Sequence, residues 1–289
     1  MDARLEELVR LLDLERLEDD LFRGESRDIG SPQVFGGQVL GQALRAASAT
    51  VPDGRAVHSL HAYFLRRGDF NMPIVYDVDR SRDGESFSSR RVTAIQHGEQ
   101  IFNLSASFQK PQAGVEHQSA VPDVPPPETL HDANNLPESI LSRLPERARR
   151  FLERSRPFEF RPVQLEDWLR PEPSAAAQQI WFRAVDRLPD EDALHRSLLA
   201  YVSDYNLLNT ACRPHALSPW RNNVITASID HAMWFHRAAR VDDWLLYSTD
   251  SPSASGARGF ARGSLYTREG VLVASTAQEG LMRPIEPGR

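Results

Sequence analysis

Cysteine is almost absent. Cys212 stands alone in 289 residues, which excludes an internal disulfide and a cysteine-based zinc site. Lysine is as scarce: Lys110 is the one lysine among 34 basic residues. It lies just before Pro111, outside any glycine-rich loop, so Schiff-base and P-loop chemistries lose their key residue. No stretch approaches about 18 consecutive apolar residues, so no membrane-spanning helix is expected. The N-terminus is charged from Asp2 onward and lacks the apolar run of a secretory signal, which points to the cytoplasm; the C-terminus lacks a peroxisomal S-K-L address. A net charge of −6 argues against a nucleic-acid partner held through phosphate neutralisation. The G-x-S-x-G, G-x-x-x-x-G-K-[ST] and H-E-x-x-H signatures are also missing, which removes sequence support for serine-hydrolase, P-loop and zincin readings.

What remains is the composition of a globular protein, 40% hydrophobic and 26% charged. The length suits one large domain or two smaller ones. Residues 112–135 are rich in proline and polar residues, with Val121-Pro-Asp-Val-Pro-Pro-Pro at their centre, and read as a linker. Leu5, Leu8, Val9 and Leu12 have helical spacing, and a second helix is expected over residues 137–155, kinked or split at Pro145.

The segments flanking the linker resemble each other. His61-Ala62 in Ser59-Leu-His-Ala-Tyr-Phe matches His231-Ala232 in Ile229-Asp-His-Ala-Met-Trp, 170 residues on, and Gln109 aligns with Gln278 at an offset of 169. Such an offset signals an internal repeat. Each half reads as a strand, a helix and about four strands: a helix near 36–50 with strands near 57–66, 73–81, 87–96 and 100–109, then a helix near 191–209 with strands near 223–235, 244–250, 258–267 and 270–281. This is an α+β architecture of two tandem units, each with a long helix packed against an antiparallel sheet.

Two histidine pairs, His58 with His61 and His231 with His236, look like metal ligands at first sight. Odd separations on strands send the two rings to opposite faces, so no metal site is expected and each ring is read as a satisfied polar group. A better lead is Asp204, at the edge of the apolar stripe of the second helix. The first-half helix has no acid between Ile29 and Pro52, so a helix carboxylate acting as a base could exist only in the second copy. Asp204, Ser228 and Gln278 could converge on a sheet wrapped round a helix, although spacing alone does not select them.

The segments Gln33-Val-Phe-Gly-Gly-Gln-Val-Leu-Gly-Gln-Ala-Leu, Asp83-Gly-Glu-Ser-Phe, Ala227-Ser-Ile-Asp-His-Ala-Met-Trp-Phe-His-Arg and Val273-Ala-Ser-Thr-Ala-Gln-Glu-Gly resemble acyl-CoA thioesterase II, the TesB type. The resemblance spans about residues 5–284 and implies a double hotdog fold. Its expected division is a first unit over residues 1–111 with the N-terminal helix, a linker and connecting helix over 112–156, and a second unit over 157–289. It implies hydrolysis of medium- to long-chain fatty acyl-CoA to free fatty acid and CoA, without a cofactor or metal. The expected partner is the acyl-CoA substrate, with no stable membrane insertion, and the family points to a homo-oligomer, dimer or tetramer. The family's catalytic Asp, Thr and Gln fall on Asp204, Ser228 and Gln278, with serine replacing the usual threonine. On this reading Asp204 activates a water that Ser228 and Gln278 orient. Gly36, Gly37 and Gln38, at the start of the first helix, are the candidate donors to the thioester oxygen. Two rivals remain: another hotdog acyl-CoA enzyme, a hydratase or dehydratase, and a non-catalytic acyl-CoA-binding protein.

Overall fold

The apolar runs become strands close to their predicted bounds. The computed structural model describes the chain except residues 31–32, 145, 147–148, 150–155, 166–171, 222 and 286–289. The first half contains α1 (Ala3–Leu12), β1 (Glu15–Glu18), β2 (Leu21–Gly24), α2 (Gly36–Ser48), β3 (Ala56–Phe64), β4 (Ile74–Asp83), β5 (Phe87–Gln96) and β6 (Glu99–Gln109). After α3 (Glu138–Leu141) the second half contains β7 (Phe158–Pro162), β8 (Ala177–Ala184), α4 (Asp192–Ser203), α5 (Asn209–Cys212), β9 (Val224–Ser228), β10 (Asp230–Phe235), β11 (Leu245–Ser255), β12 (Arg258–Thr267) and β13 (Leu272–Pro284). The β5–β6 hairpin turns on His97 and Gly98, both at positive φ (52° and 76°), the two-residue geometry that matches strand twist.

All the strands join one sheet in the order β1-β2-β4-β5-β6-β3-β10-β13-β12-β11-β8-β7, with β9 beside β13. The order β2-β4-β5-β6-β3 is mirrored by β8-β11-β12-β13-β10, so the two copies meet edge to edge at β3 and β10. There Ala62 stands opposite His231 and Leu60 opposite Met233. Each copy thereby covers an edge that the other would leave open to aggregation.

Helix α2 is buried from Gly37 through Leu44, and again at Ala46 and Ala47, which explains why it carries no charge before Arg45. Strands β3 to β6 pack against it, and α4 lies alongside. The contact between the helices depends on two glycines. A Cβ at Gly37 would fall inside the carbonyl oxygen of Tyr201, and one at Gly41 would stand 3.2 Å from the carbonyl oxygen of Ser197. Small residues here let the two helix backbones approach, and the largest core cluster spans both copies.

The proline-rich segment is strapped to the second unit. Gln118 bridges Gly270 and Leu272 through its side chain (2.7 and 3.0 Å), and the Trp181 indole donates to the Pro125 carbonyl (3.0 Å). Of the helix expected over 137–155, the structure shows the single turn of α3 and helical backbone again at Glu146 and Arg149; Pro145 and residues 147–148 and 150–155 lie outside the described residues. No helix among the described residues is long and apolar enough to cross a membrane.

The repeat needs one correction. His61 is exposed and His231 fully buried, while Gln109 lies near the surface and Gln278 is buried. Strand side chains alternate between faces, so the offsets of 170 and 169 pair residues on opposite faces. They match letters rather than structural equivalents.

Candidate active site

The second long helix ends earlier than its apolar stripe predicts. Helix α4 stops at Ser203, Asp204 is its C-cap, and Asn206 takes the left-handed conformation (φ 62°), where asparagine is better tolerated than most residues. This break places the Asp204 carboxylate at the end of α4 rather than on its side. Tyr247 secures the end from β11, its hydroxyl donating to the Ser203 carbonyl (2.9 Å) beside Thr276 Oγ1 (2.8 Å).

Asp204, Ser228 and Gln278 come together there. The buried Gln278 amide donates to Asp204 Oδ1 (2.8 Å), and the Ser228 hydroxyl points at the same oxygen from 3.5 Å, at the limit of a hydrogen bond. The other oxygen, Oδ2, faces the start of α2: a Cβ at Gly36 would lie 2.7 Å from it. One carboxylate oxygen is therefore anchored, and the other lies close to Gly36 in the first turn of α2, where the leading N–H groups of a helix have no intrahelical partners. A cavity of about 270 Å³ opens beside this point, lined by Gly36, Ala227 and Ser228 and by the apolar side chains of Val34, Val39 and Phe64.

Among the proposed oxyanion donors, Gly36 and Gly37 occupy that first turn, but Gln38 does not face the carboxylate. Its backbone N–H donates to the Phe35 carbonyl (3.0 Å), its Oε1 accepts from Arg27 N (3.2 Å), and its amide donates to the Glu25 carbonyl (3.2 Å). Gln38 ties the 25–27 segment to α2 and drops out of the site; its sequence position gave no sign of which way its side chain turns.

His231 is the residue that strand spacing undervalued. It is fully buried, its Nε2 is 3.0 Å from Ser203 Oγ, and its Nδ1 has no partner among the described residues; nor has Gln278 Oε1. Since Ser203 gives its hydroxyl proton to the Ala200 carbonyl (2.9 Å), the histidine is the donor in that contact. Reading it as a satisfied polar group was half right: one nitrogen is engaged. Its former partner in the metal-pair reading, His236, is exposed and bonds Ser275 Oγ (2.8 Å), so the two rings do not share a site. In the other histidine pair, His58 bonds Ser107 Oγ (2.8 Å) in the first copy.

Burial lowers the pKa of His231 below the usual 6.5, opposed by the Asp204 charge, and also lowers those of His58, His195 and His236. Lowered folded-state values mean that the unfolded chain binds more protons in this range, so stability rises with pH there. Stability is complete above about pH 6.5 and is lost as pH falls through that value toward the folded-state pKa values. The Tm measured from pH 7.5 down to 5 therefore falls, and His231→Asn, which cannot titrate, reduces the slope; an unchanged slope would remove His231 from this account.

The family model for acyl-CoA thioesterase matches residues 148–281, and that for the acyl-CoA thioesterase N-terminal domain matches residues 23–109. The chain is 42% identical to acyl-CoA thioesterase 2 of Haemophilus influenzae, across 98% of this chain and 99% of that one. It is also 42% identical to acyl-coenzyme A thioesterase 8 of Homo sapiens, across 98% and 90%. Among solved structures it is similar to acyl-CoA thioesterase II TesB2 from Mycobacterium marinum (44% identity, TM-score 0.80, 96% and 99% covered). A conserved protein of unknown function with hot dog fold from Alicyclobacillus acidocaldarius shares the fold at 19% identity (TM-score 0.75, 97% and 99% covered). With two helix-on-sheet units in a double hotdog, and relatives matched over nearly its whole length, this chain belongs to the acyl-CoA thioesterase II (TesB-type) family of thioester hydrolases.

Proposed function

We propose that the protein hydrolyses medium- to long-chain fatty acyl-CoA by direct attack of water, with Asp204 as the general base. The observation that carries this reading is the two-sided carboxylate: Gln278 and Ser228 hold Oδ1, while Oδ2 is aimed at the start of α2. A water at Oδ2 gives its proton to the carboxylate as its oxygen attacks the carbonyl carbon. The oxyanion is stabilised by the Gly36 and Gly37 N–H groups. The C–S bond then breaks, and the CoA sulfur leaves with the proton returned from Asp204. No covalent enzyme intermediate is needed.

The test is release of free CoA from acyl-CoAs of graded chain length, read with a thiol reagent. Cys212 does not interfere: it is buried, and burial pushes its thiol up to about 11. Binding without CoA release would overturn the reading in favour of a non-catalytic binder. Within the site, Ser228→Thr keeps a hydroxyl at Oδ1 and retains activity, whereas Ser228→Ala loses about tenfold or more in kcat/KM; an unaffected alanine variant would remove Ser228 from the mechanism.

The same reading takes the protein to be a cytoplasmic homo-oligomer. Exposure of Tyr63 (53%) and Trp234 (37%) on the outer face of the β3–β10 seam supports association, and light scattering of the purified protein checks it.

A further inference from the structure

The cavity beside Asp204 has an uneven charge. Among the described residues, the only ionisable groups that line it are Arg66 and Arg67, and no carboxylate does, although the chain as a whole carries −6. The two arginines differ. Arg66 is committed to the protein, its guanidinium donating to the Gln100 carbonyl (2.7 Å) and pairing with Glu99 (3.2 Å). Arg67 is exposed and has no hydrogen bond or ion pair with any described residue.

The backbone fixes where this free cation stands. Phe64 N donates to the Ile229 carbonyl (2.9 Å), which pins the end of β3 beside Ser228, and Val34 N donates to the Gly68 carbonyl (3.0 Å), which pins the 65–68 turn against the approach to α2. Arg67 is thus three residues from a contact with the Asp204 site, within about 11 Å of chain, and it shares the lining of the cavity with Val34, Phe64, Ile101 and Phe102. A largely apolar cavity that is lined both by Gly36 and Ser228, the neighbours of the Asp204 carboxylate, and by a guanidinium with no partner among the described residues matches a ligand with a thioester at one end, an amide-containing arm, and phosphates at the other.

We infer that Arg67 is a substrate-binding residue that receives the phosphates of the CoA nucleotide, with the pantetheine arm lying along Val34 and Phe64. Arg66 supports the positive field, and its pairing with Glu99 leaves Arg67 as the principal contact. Guanidinium suits this role through paired, planar hydrogen bonds to phosphate oxygens. The inference rests on the acyl-CoA reading, and the experiment separates the two.

Wild type, Arg67→Gln and Arg67→Glu are assayed on one acyl group carried either by CoA or by N-acetylcysteamine, which lacks the nucleotide. CoA binding is measured in parallel by calorimetry. The ratio of kcat/KM for the CoA ester to that for the N-acetylcysteamine ester is expected to fall at least about tenfold, through KM, as the loss of one charge-assisted phosphate contact implies. The Kd for CoA rises by a similar factor. Arg10→Glu, the same charge reversal on exposed α1, leaves the ratio unchanged. An unchanged ratio and Kd in the Arg67 variants, an equal loss on both esters, or an equal effect of Arg10→Glu would each overturn the inference, as would a wild-type protein that does not bind CoA. Arg67-dependent CoA binding without hydrolysis would sink the catalytic reading and leave this one standing.

Discussion

Asp204→Asn lowers kcat/KM on a long-chain acyl-CoA by at least about a hundredfold, the lower end of what a positioned general base contributes. The substitution is nearly isosteric, and the Gln278 amide can still donate to the carbonyl oxygen of the new side chain in place of Oδ1 (2.8 Å in the wild type), so the end of α4 remains anchored and the Tm changes little. What disappears is the basic oxygen facing Gly36. The loss should fall mainly on kcat, because the carboxylate acts on water rather than on the bound acyl group. Turnover near wild type in a folded Asp204→Asn protein would rule out Asp204 as the base.

The second large effect is on stability. Gly37→Leu loses about 3 kcal/mol or more, the upper range for overpacking, and yields little soluble protein. The obstacle is backbone: the new Cβ falls inside the Tyr201 carbonyl oxygen, with the Phe35 ring on its other side, so α2 and α4 must separate. Substitution at Gly37 therefore cannot test an oxyanion role, since lost packing alone would abolish turnover. Gly36→Ala can. Its Cβ meets the Asp204 side chain (2.7 Å) and the Phe64 ring (3.0 Å), groups that can shift, so the protein folds while the carboxylate moves. Thermal melts and kcat/KM on the two variants distinguish these outcomes: a Gly37→Leu protein with the wild-type Tm would overturn the packing argument.

Much of the architecture was legible because it is written in short-range patterns. The strands expected in the two halves lie close to their expected bounds. The absence of acids in the first-half helix made the two copies unequal. The repeat was visible too, but identical letters at offsets of 170 and 169 led to the wrong face: burial separates His61 from His231 and Gln109 from Gln278. The helical period likewise ran past Ser203, because hydrophobic spacing does not register a cap, and the residue that ends α4 in the left-handed region, Asn206, looks like any polar residue in the row.

The sequence by itself indicated two helix-and-strand units and an acid in the second copy that the first-half helix lacks, and through family resemblance it singled out Asp204, Ser228 and Gln278. Tertiary structure decided how they meet. Only the packing of α2 on α4 brings Gly36 to Asp204, and only the sheet carries the Gln278 amide to a carboxylate 74 residues away. The same packing turned Gln38 away from that carboxylate, left one nitrogen of His231 without a partner among the described residues, and set Arg67 in the lining of the cavity. Side-chain direction depends on neighbours supplied by distant parts of the chain, and no local spacing encodes it.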